Sequence, residues 1–430
     1  MATATPGAAG TKSGRWAAFV SWIDARLPIS EFWKSQASEY YAPKNFNFWY
    51  YFGSLALFVL VIQIVSGIFL TMSYKPDAQQ AFQSVEYIMR DVGWGWLIRY
   101  IHSTGASMFF IVIYLHMFRG LLYGSYRKPR ELLWLFGVFI YLCLMAEAFF
   151  GYLLPWGQMS YWGAQVIVNL FGAIPVIGDD LAVWIRGDYV VSDATLNRFF
   201  AFHVIAIPLV LLALVVVHLI ALHEVGSNNP DGIEIKKKLD PNTGHPLDGV
   251  PFHPYYTVKD LVGVVVFLGV FSFIVFFMPE VGGYFLEENN FIPANPLQTP
   301  PHIAPVWYFT PYYAMLRAVP AFLHTQFWGV LVMAAAVLIF FFLPWLDHSR
   351  VKSIRYKGRY YKIALALFVI SFIVLGWLGT QPTDFLGSIG KMEVAVFLAR
   401  LFTVVYFAFF LLMPWYSRID KTKPEPERLS

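Results

Sequence analysis

Long apolar runs alternate with polar connections along most of this chain. A helix that crosses a bilayer needs about 20 predominantly apolar residues at a rise of 1.5 Å each. Eight stretches reach that length: about Tyr51 to Ser73, Tyr100 to Gly124, Leu132 to Leu154, Phe199 to Leu222, Leu261 to Met278, Gln326 to Trp345, Tyr361 to Gly379 and Val394 to Met413. The pattern predicts an all-α, polytopic membrane protein with eight transmembrane helices. Residues 1–14 are small and polar and do not read as a signal peptide. Residues 15–45 mix Trp, Phe and charge, as an amphipathic segment at a membrane surface does. The expected organisation is an amphipathic segment (1–45), a front four-helix bundle (46–222), a connection (223–257), a back four-helix part (258–415) and a tail (416–430). The stretch Lys421–Ser430 reads as disordered and charged.

Charge then orients the helices. Eight spans put both termini on one side, and that side holds 22 of the 31 Lys and Arg residues, including Lys236–Lys238 and the run from Arg350 to Lys362. The positive-inside rule therefore places the termini in the cytoplasm, and the expected location is a bacterial inner membrane. Only 13% of residues are charged, against roughly a quarter in soluble chains, so most side chains face lipid or one another and no nucleic-acid partner is expected. The single cysteine, Cys143, cannot hold an iron–sulfur cluster, attach a c-type haem or close an internal disulfide. Any redox centre must rest on histidines or in a non-covalent pocket. Two connections on the side opposite the termini, 155–198 and 279–324, are long and rich in Gly, Pro and Trp, a place where sites are built.

Four histidines lie inside apolar spans. His102 and His116 are fourteen residues apart on the second, His203 and His218 fifteen apart on the fourth. Fourteen residues are nearly four turns, about 21 Å along the axis. Facing helices then pair His102 with His203 and His116 with His218, and each pair offers two axial nitrogens to one iron: two stacked, non-covalent b-type haems. The bland alternative is that each histidine satisfies a neighbour, but ionisable residues inside membranes are rare and functional by default. Gly53 and Gly67, and Gly137 and Gly151, repeat at the same fourteen residues and leave room for a flat cofactor; ordinary small-residue packing is the other reading. Arg99 and Arg119 sit three residues outside His102 and His116, suited to haem propionates or, alternatively, to solvated interfaces. Fifteen residues rotate about 100° further than fourteen, so the fourth span is expected to be distorted near Pro208 by a kink or a π-bulge.

The chain resembles cytochrome b of the cytochrome bc complexes from about residue 40 to 415. The likeness rests on Arg99-Tyr100-Ile101-His102, the string from Gly151 to Ser160, Arg198-Phe199-Phe200-Ala201-Phe202-His203, the string from His223 to Pro230, and Pro251-Phe252-His253-Pro254-Tyr255-Tyr256. The resemblance implies a quinol–cytochrome c oxidoreductase coupled to proton translocation. Quinol is oxidised at an outer site near His102 and His203. One electron passes to a Rieske iron–sulfur protein and the other through the two haems to quinone at an inner site. A membrane-anchored c-type cytochrome and a homodimeric complex are the further expected partners, and Arg198 is implied in cofactor binding. The implied outer site takes Tyr152, Gly163, Ala164, Pro305, Trp307 and Tyr308, with Tyr308 in the catalytic motif; the inner site takes His223, Ser227, Asn228 and Asp260.

The family motif Pro-Glu-Trp-Tyr reads Pro305-Val306-Trp307-Tyr308 here. Val306 accepts no proton. Glu280 and Glu287, in the loop that leads to the motif, rank first as substitutes and Glu147, inside the third span, after them. A split-chain relative of photosynthetic membranes remains a rival, though it divides front and back helices between two proteins. A smaller haem b membrane anchor has about half the spans, and a transporter needs no matched histidines.

Overall fold

The computed structural model describes residues 14–321, 325–390 and 392–429; the first thirteen residues of the N-terminal segment, His324, Lys391 and Ser430 lie outside the described residues. Among the described residues eight helices are long and apolar enough to cross a membrane: Phe48–Thr71, Gly95–Tyr123, Glu131–Leu153, Asp193–Val225, Phe252–Phe277, Phe327–Leu346, Arg359–Thr380 and Val394–Leu411. The fourth starts earlier than its apolar run, because Thr195 Oγ1 accepts the Ser192 N–H at 3.1 Å in a helix-capping arrangement. The fifth, Phe252–Phe277, is kinked at His253, whose backbone is extended (φ −95°, ψ 131°), and beyond it Thr257, Lys259 and Asp260 interrupt the apolar signal without breaking the helix.

Two compact units divide the chain. The larger comprises residues 45–234 and 260 onward. In it the first span packs on the second, the third on the fourth, and the seventh on the eighth, with the short helix Thr310–Ala318 against the last two. Half of the second span's apolar window is buried but only 6% of the fourth's; the second is an interior helix, and the fourth turns most of its surface outward. The core holds hydroxyls as well as hydrocarbon. Tyr141 and Tyr312 share a hydrogen bond of 2.9 Å, Tyr114 donates to the Tyr308 carbonyl at 2.5 Å, and Phe110 stacks on Tyr308 at 3.9 Å. Inside a membrane such groups must find protein partners.

On the side of the termini, Arg130 grips Glu234 with both terminal nitrogens (2.7 and 2.9 Å), and Lys352 reaches the same carboxylate. Burial opposes ionisation of Glu234, but Arg130 and Lys352 outweigh it and hold the carboxyl down to about 2. Beside them a fully buried pair, Lys357 Nζ to Asp347 Oδ2 at 2.6 Å, also takes the Tyr126 hydroxyl at 2.7 Å. The segment beyond the eighth span corrects the sequence expectation of disorder. Asp420 accepts the N–H groups of Tyr360 (3.1 Å) and Tyr361 (3.3 Å), Lys423 N–H donates to Tyr356 O (2.7 Å), and Glu425 Oε1 accepts Lys352 N–H (2.9 Å). This stretch has no apolar period because polar contacts to backbone hold it.

The smaller unit joins residues 14–44 to 235–259. Strand Tyr41–Pro43 pairs antiparallel with Gly249–Pro251, Lys44 bridges Asp248 at 3.1 Å, and the Tyr256 hydroxyl donates to Pro43 O at 2.5 Å. Its helix Arg15–Asp24 exposes Trp16, Phe19 and Trp22, as an interfacial helix requires.

Candidate functional site

The second and fourth spans bring His102 to His203 and His116 to His218. The ring centres are 6.1 Å apart in the first pair, with planes at 87°, and 6.5 Å apart in the second, at 63°. Two imidazoles that share a metal through bonds of about 2 Å hold their ring centres roughly 6 Å apart, so both pairs have the spacing that a bis-histidine iron requires. The expected distortion of the fourth span is present. Residues Phe202–Ala206 form a π turn, closed by the Ile207 N–H on the Phe202 carbonyl, and Pro208 follows it. Pro208 has no N–H to return to Val204, so the regular ladder is already broken there. The turn absorbs the fifteenth residue.

Each periodic glycine abuts one ring. A Cβ on Gly53 stands 3.3 Å from His116 Cε1, on Gly67 3.3 Å from His102 Cε1 and on Gly137 3.4 Å from His218 Cε1. On Gly151 it stands 2.4 Å from His203 Cε1, a distance that no side chain tolerates. The histidine edges, more than a cofactor face, claim the space.

A cavity of about 280 Å³ opens beside the outer pair, walled by Gly67, Arg99, His102, Glu147, Gly151 and His203, and continues to Tyr152, Val306 and Tyr308. Arg119 lies at the other end of the second span, its guanidinium 5.0 Å from the Tyr50 ring centre and its Nε buried without a hydrogen-bond partner. An orphaned buried guanidinium N–H fits an anionic group such as a propionate. Arg198 is placed elsewhere: exposed, it donates to the Trp184 carbonyl and does not line this cavity. Among the described residues no three of His, Cys, Asp and Glu converge as a bare metal site. The ring spacing of both pairs and the orphaned Arg119 fit two haems.

The Nδ1 atoms differ between the pairs. His102 Nδ1 lies 2.9 Å from Ser66 Oγ, which itself donates to Ile62 O, and His203 Nδ1 lies 3.0 Å from Glu147 Oε1 and 2.9 Å from Glu147 O. His116 Nδ1 and His218 Nδ1 are buried with no side-chain partner. Sequence reasoning did not find Ser66; its place one residue before Gly67 was the available signal.

The two outer connections are laced together. Gln158 N–H donates to Ile292 O (2.8 Å), Ala294 N–H to Trp156 O (3.0 Å), and Asn295 N–H to Gln158 Oε1 (2.7 Å). The first is not loop throughout, since it carries the helices Gln158–Gly172 and Gly178–Arg186. Ala164 is buried on the former, and a Cβ added to Gly163 would stand 3.5 Å from the Tyr152 ring. Trp307 Nε1 donates to Ser107 Oγ (3.1 Å). A second cavity, of about 270 Å³, is lined by Glu287, His302, Pro305 and Trp307. Glu287 is half-buried overall, yet its Oε2 is sealed from solvent, as is the Tyr152 hydroxyl close by. Burial pushes Glu287 up to about 7, against the pull of its own backbone N–H and of Tyr152. Glu280 is exposed. His302, which carried no signal in the sequence, lines the same cavity and lies 3.2 Å from Thr380 O through Nε2.

On the side of the termini, His223 occupies the last turn of the fourth span and Asp260 the early turns of the fifth, near Ser54. Ser227 is half-buried; Asn228 is buried and donates to Tyr123 O at 2.6 Å, tying down the end of the second span, while its Oδ1 has no partner.

Residues 37–226 match the family described as Cytochrome b/b6/petB, and residues 293–407 the one described as Cytochrome b(C-terminal)/b6/petD. The chain is 68% identical over 414 residues to Cytochrome b of Allochromatium vinosum, covering 96% of this chain and 98% of that protein. It is 45% identical over 412 residues to Cytochrome b/c1 of Bradyrhizobium diazoefficiens, covering 96% of this chain and 56% of that longer protein. A solved structure named Hyperthermophilic respiratory Complex III superposes with a TM-score of 0.83 at 42% identity, over 93% of this chain and 99% of that one. With both family segments in one chain, eight candidate spans and two histidine pairs, this multi-pass membrane protein belongs to the cytochrome b family.

Proposed function

We propose that this chain is the quinol-oxidising subunit of a proton-translocating respiratory quinol–cytochrome c oxidoreductase. It works beside a Rieske protein and a c-type cytochrome in a dimeric complex of the bacterial inner membrane, with both termini cytoplasmic. The single observation that carries this reading is the pair of histidine–histidine spacings, 6.1 and 6.5 Å, set about 21 Å apart along one helix. The fused name of the Bradyrhizobium relative supports the c-type partner. Residues 46–222 form the haem-binding part and 258–415 carry the outer quinol loop.

The haems, when bound, would supply two one-electron carriers. The chain's own residues do the rest. His102 and His203 would hold the outer iron and His116 and His218 the inner one, with Arg99 and Arg119 as charge partners for propionates. Tyr152, Val306 and Tyr308 shape an outer pocket that takes quinol. Val306 cannot receive a proton, and Glu287 does so in its place: it is sealed from solvent, half-protonated near pH 7, and opens on the second cavity, where His302 lies on the way out. Glu280, exposed, is not the acceptor. At the inner site His223 and Asp260 deliver protons to reduced quinone, with Ser227 and Asn228 positioning it. A reduced-minus-oxidised spectrum of the purified complex, with haem counted per chain, tests the reading. Two b-type haems are expected, and one each in His116→Ala and His203→Ala; a wild-type chain with fewer than two overturns it.

A further inference from the structure

The two histidine pairs occupy one scaffold twice. A shift of fourteen residues carries Gly53 onto Gly67 in the first span and Gly137 onto Gly151 in the third, each glycine against its own ring. The neighbours of those glycines obey the same shift but not the same chemistry. One residue before the glycine stands Phe52 at the inner pair and Ser66 at the outer; four residues before stands Leu133 at the inner pair and Glu147 at the outer. The inner pair is thus a built-in control. At the outer pair alone an acidic side chain meets a ring nitrogen: Glu147 Oε1 is 3.0 Å from His203 Nδ1, in addition to the Glu147 backbone carbonyl at 2.9 Å. One backbone acceptor suffices to orient the ring. The carboxyl adds something else, and its second oxygen, Oε2, is buried with no partner.

We propose that Glu147 is a positioning residue that tunes the outer iron: its carboxyl oxygen, 3.0 Å from a His203 Nδ1 whose hydrogen bond goes to the Glu147 backbone carbonyl, lowers the reduction potential of that haem. The inference rests on His102 and His203 as axial ligands. An Nδ1–H that meets a backbone carbonyl and a carboxyl oxygen together leaves the imidazole a stronger donor through Nε2 than a carbonyl alone does. Both that donation and the nearby negative charge, unscreened in the membrane interior, favour the oxidised iron over the one-electron-reduced form. Nothing equivalent acts on His218, where the matching position is Leu133. Glu147 is thereby separated from Glu287: the first holds a ligand and the second faces the outer-loop cavity.

Optical redox titration of the intact complex tests this. In Glu147→Gln the outer haem's reduction equilibrium is expected to move at least tenfold toward the reduced form, about 59 mV for a one-electron couple, while the inner haem stays within twofold. An outer potential unchanged within threefold overturns the proposal, even when quinol oxidation is slowed, because that pattern marks a proton acceptor. Should Glu147→Gln assemble with one haem only, Glu147→Asp decides: an outer potential within threefold of wild type supports a role for the charge, and a tenfold change refutes it. Failure of the underlying ligand assignment has a different signature, a His203→Ala chain that still carries two b haems.

Discussion

Val306 removes a carboxyl from the motif where the family resemblance expects one, and Glu287 stands sealed beside Tyr152 with a raised affinity for protons. A base must be deprotonated to act, so quinol oxidation is expected to rise with pH through about 7 in the wild type. Glu287→Gln is expected to lose that rise and to fall at least about tenfold in turnover, within the usual reach of general-base catalysis, whereas Glu280→Gln, altering an exposed side chain, leaves turnover within about twofold. A quinol–cytochrome c assay across pH 5.5 to 8.5 (about three units, bracketing a group near 7) separates the two. Gly151→Ala is expected to cost the outer haem and spare the inner, since its Cβ meets His203 at 2.4 Å; a haem count reads this directly. The histidines and glycines were legible in the sequence because their spacing is a helical period. The Glu147–His203 contact was not, because it joins two different helices and no period links them. Nor did spacing show that Arg198 is spent on the Trp184 carbonyl.

Among elements, the fourth span matters most. A π turn at Phe202–Ala206 is one residue more than an α-helix needs. Deleting Ile205 is therefore expected to relax the turn into regular helix, restore a fourteen-residue spacing and retain both haems. Deleting Ile111, between His102 and His116 in an already regular helix, turns one ligand away by about 100° and is expected to lose a haem. Haem stoichiometry of the two purified variants checks the contrast. The existence of all eight spans was readable from apolar length alone. Their ends were less so. Lys259 and Asp260 hid the start of the fifth, and a capping arrangement set the start of the fourth. The helix Gly178–Arg186, which has Asp179 and Asp180 in its first turn as a helix start prefers, passed as loop because Gly and Pro surround it.

At the scale of the molecule, the polar network on the side of the termini ties together connections that are far apart in the chain. Glu234→Gln leaves Arg130 buried and half-paired, and is expected to cost about 3 kcal/mol, read as a lower unfolding temperature of the solubilised complex. Because Glu234 is held near 2 against an ordinary 4.5, its contribution is complete above about pH 4.5 and disappears as pH falls toward 2; the variant is expected to lose less than the wild type over that window. The order of the segment beyond the eighth span escaped the sequence because its anchors lie far off in the chain, Lys352 and Tyr356 in another connection and Tyr360 in the first turn of the seventh span. That segment also imposes a timetable. Arg130, Glu234, Lys352 and Glu425 leave the ribosome in that order, and the Lys352 backbone meets Glu425 only after every span has been synthesised. A chain halted before Asp420 has all eight helices in place and yet presents an open end, so the inner face carries its own mark of whether synthesis ran past the last span.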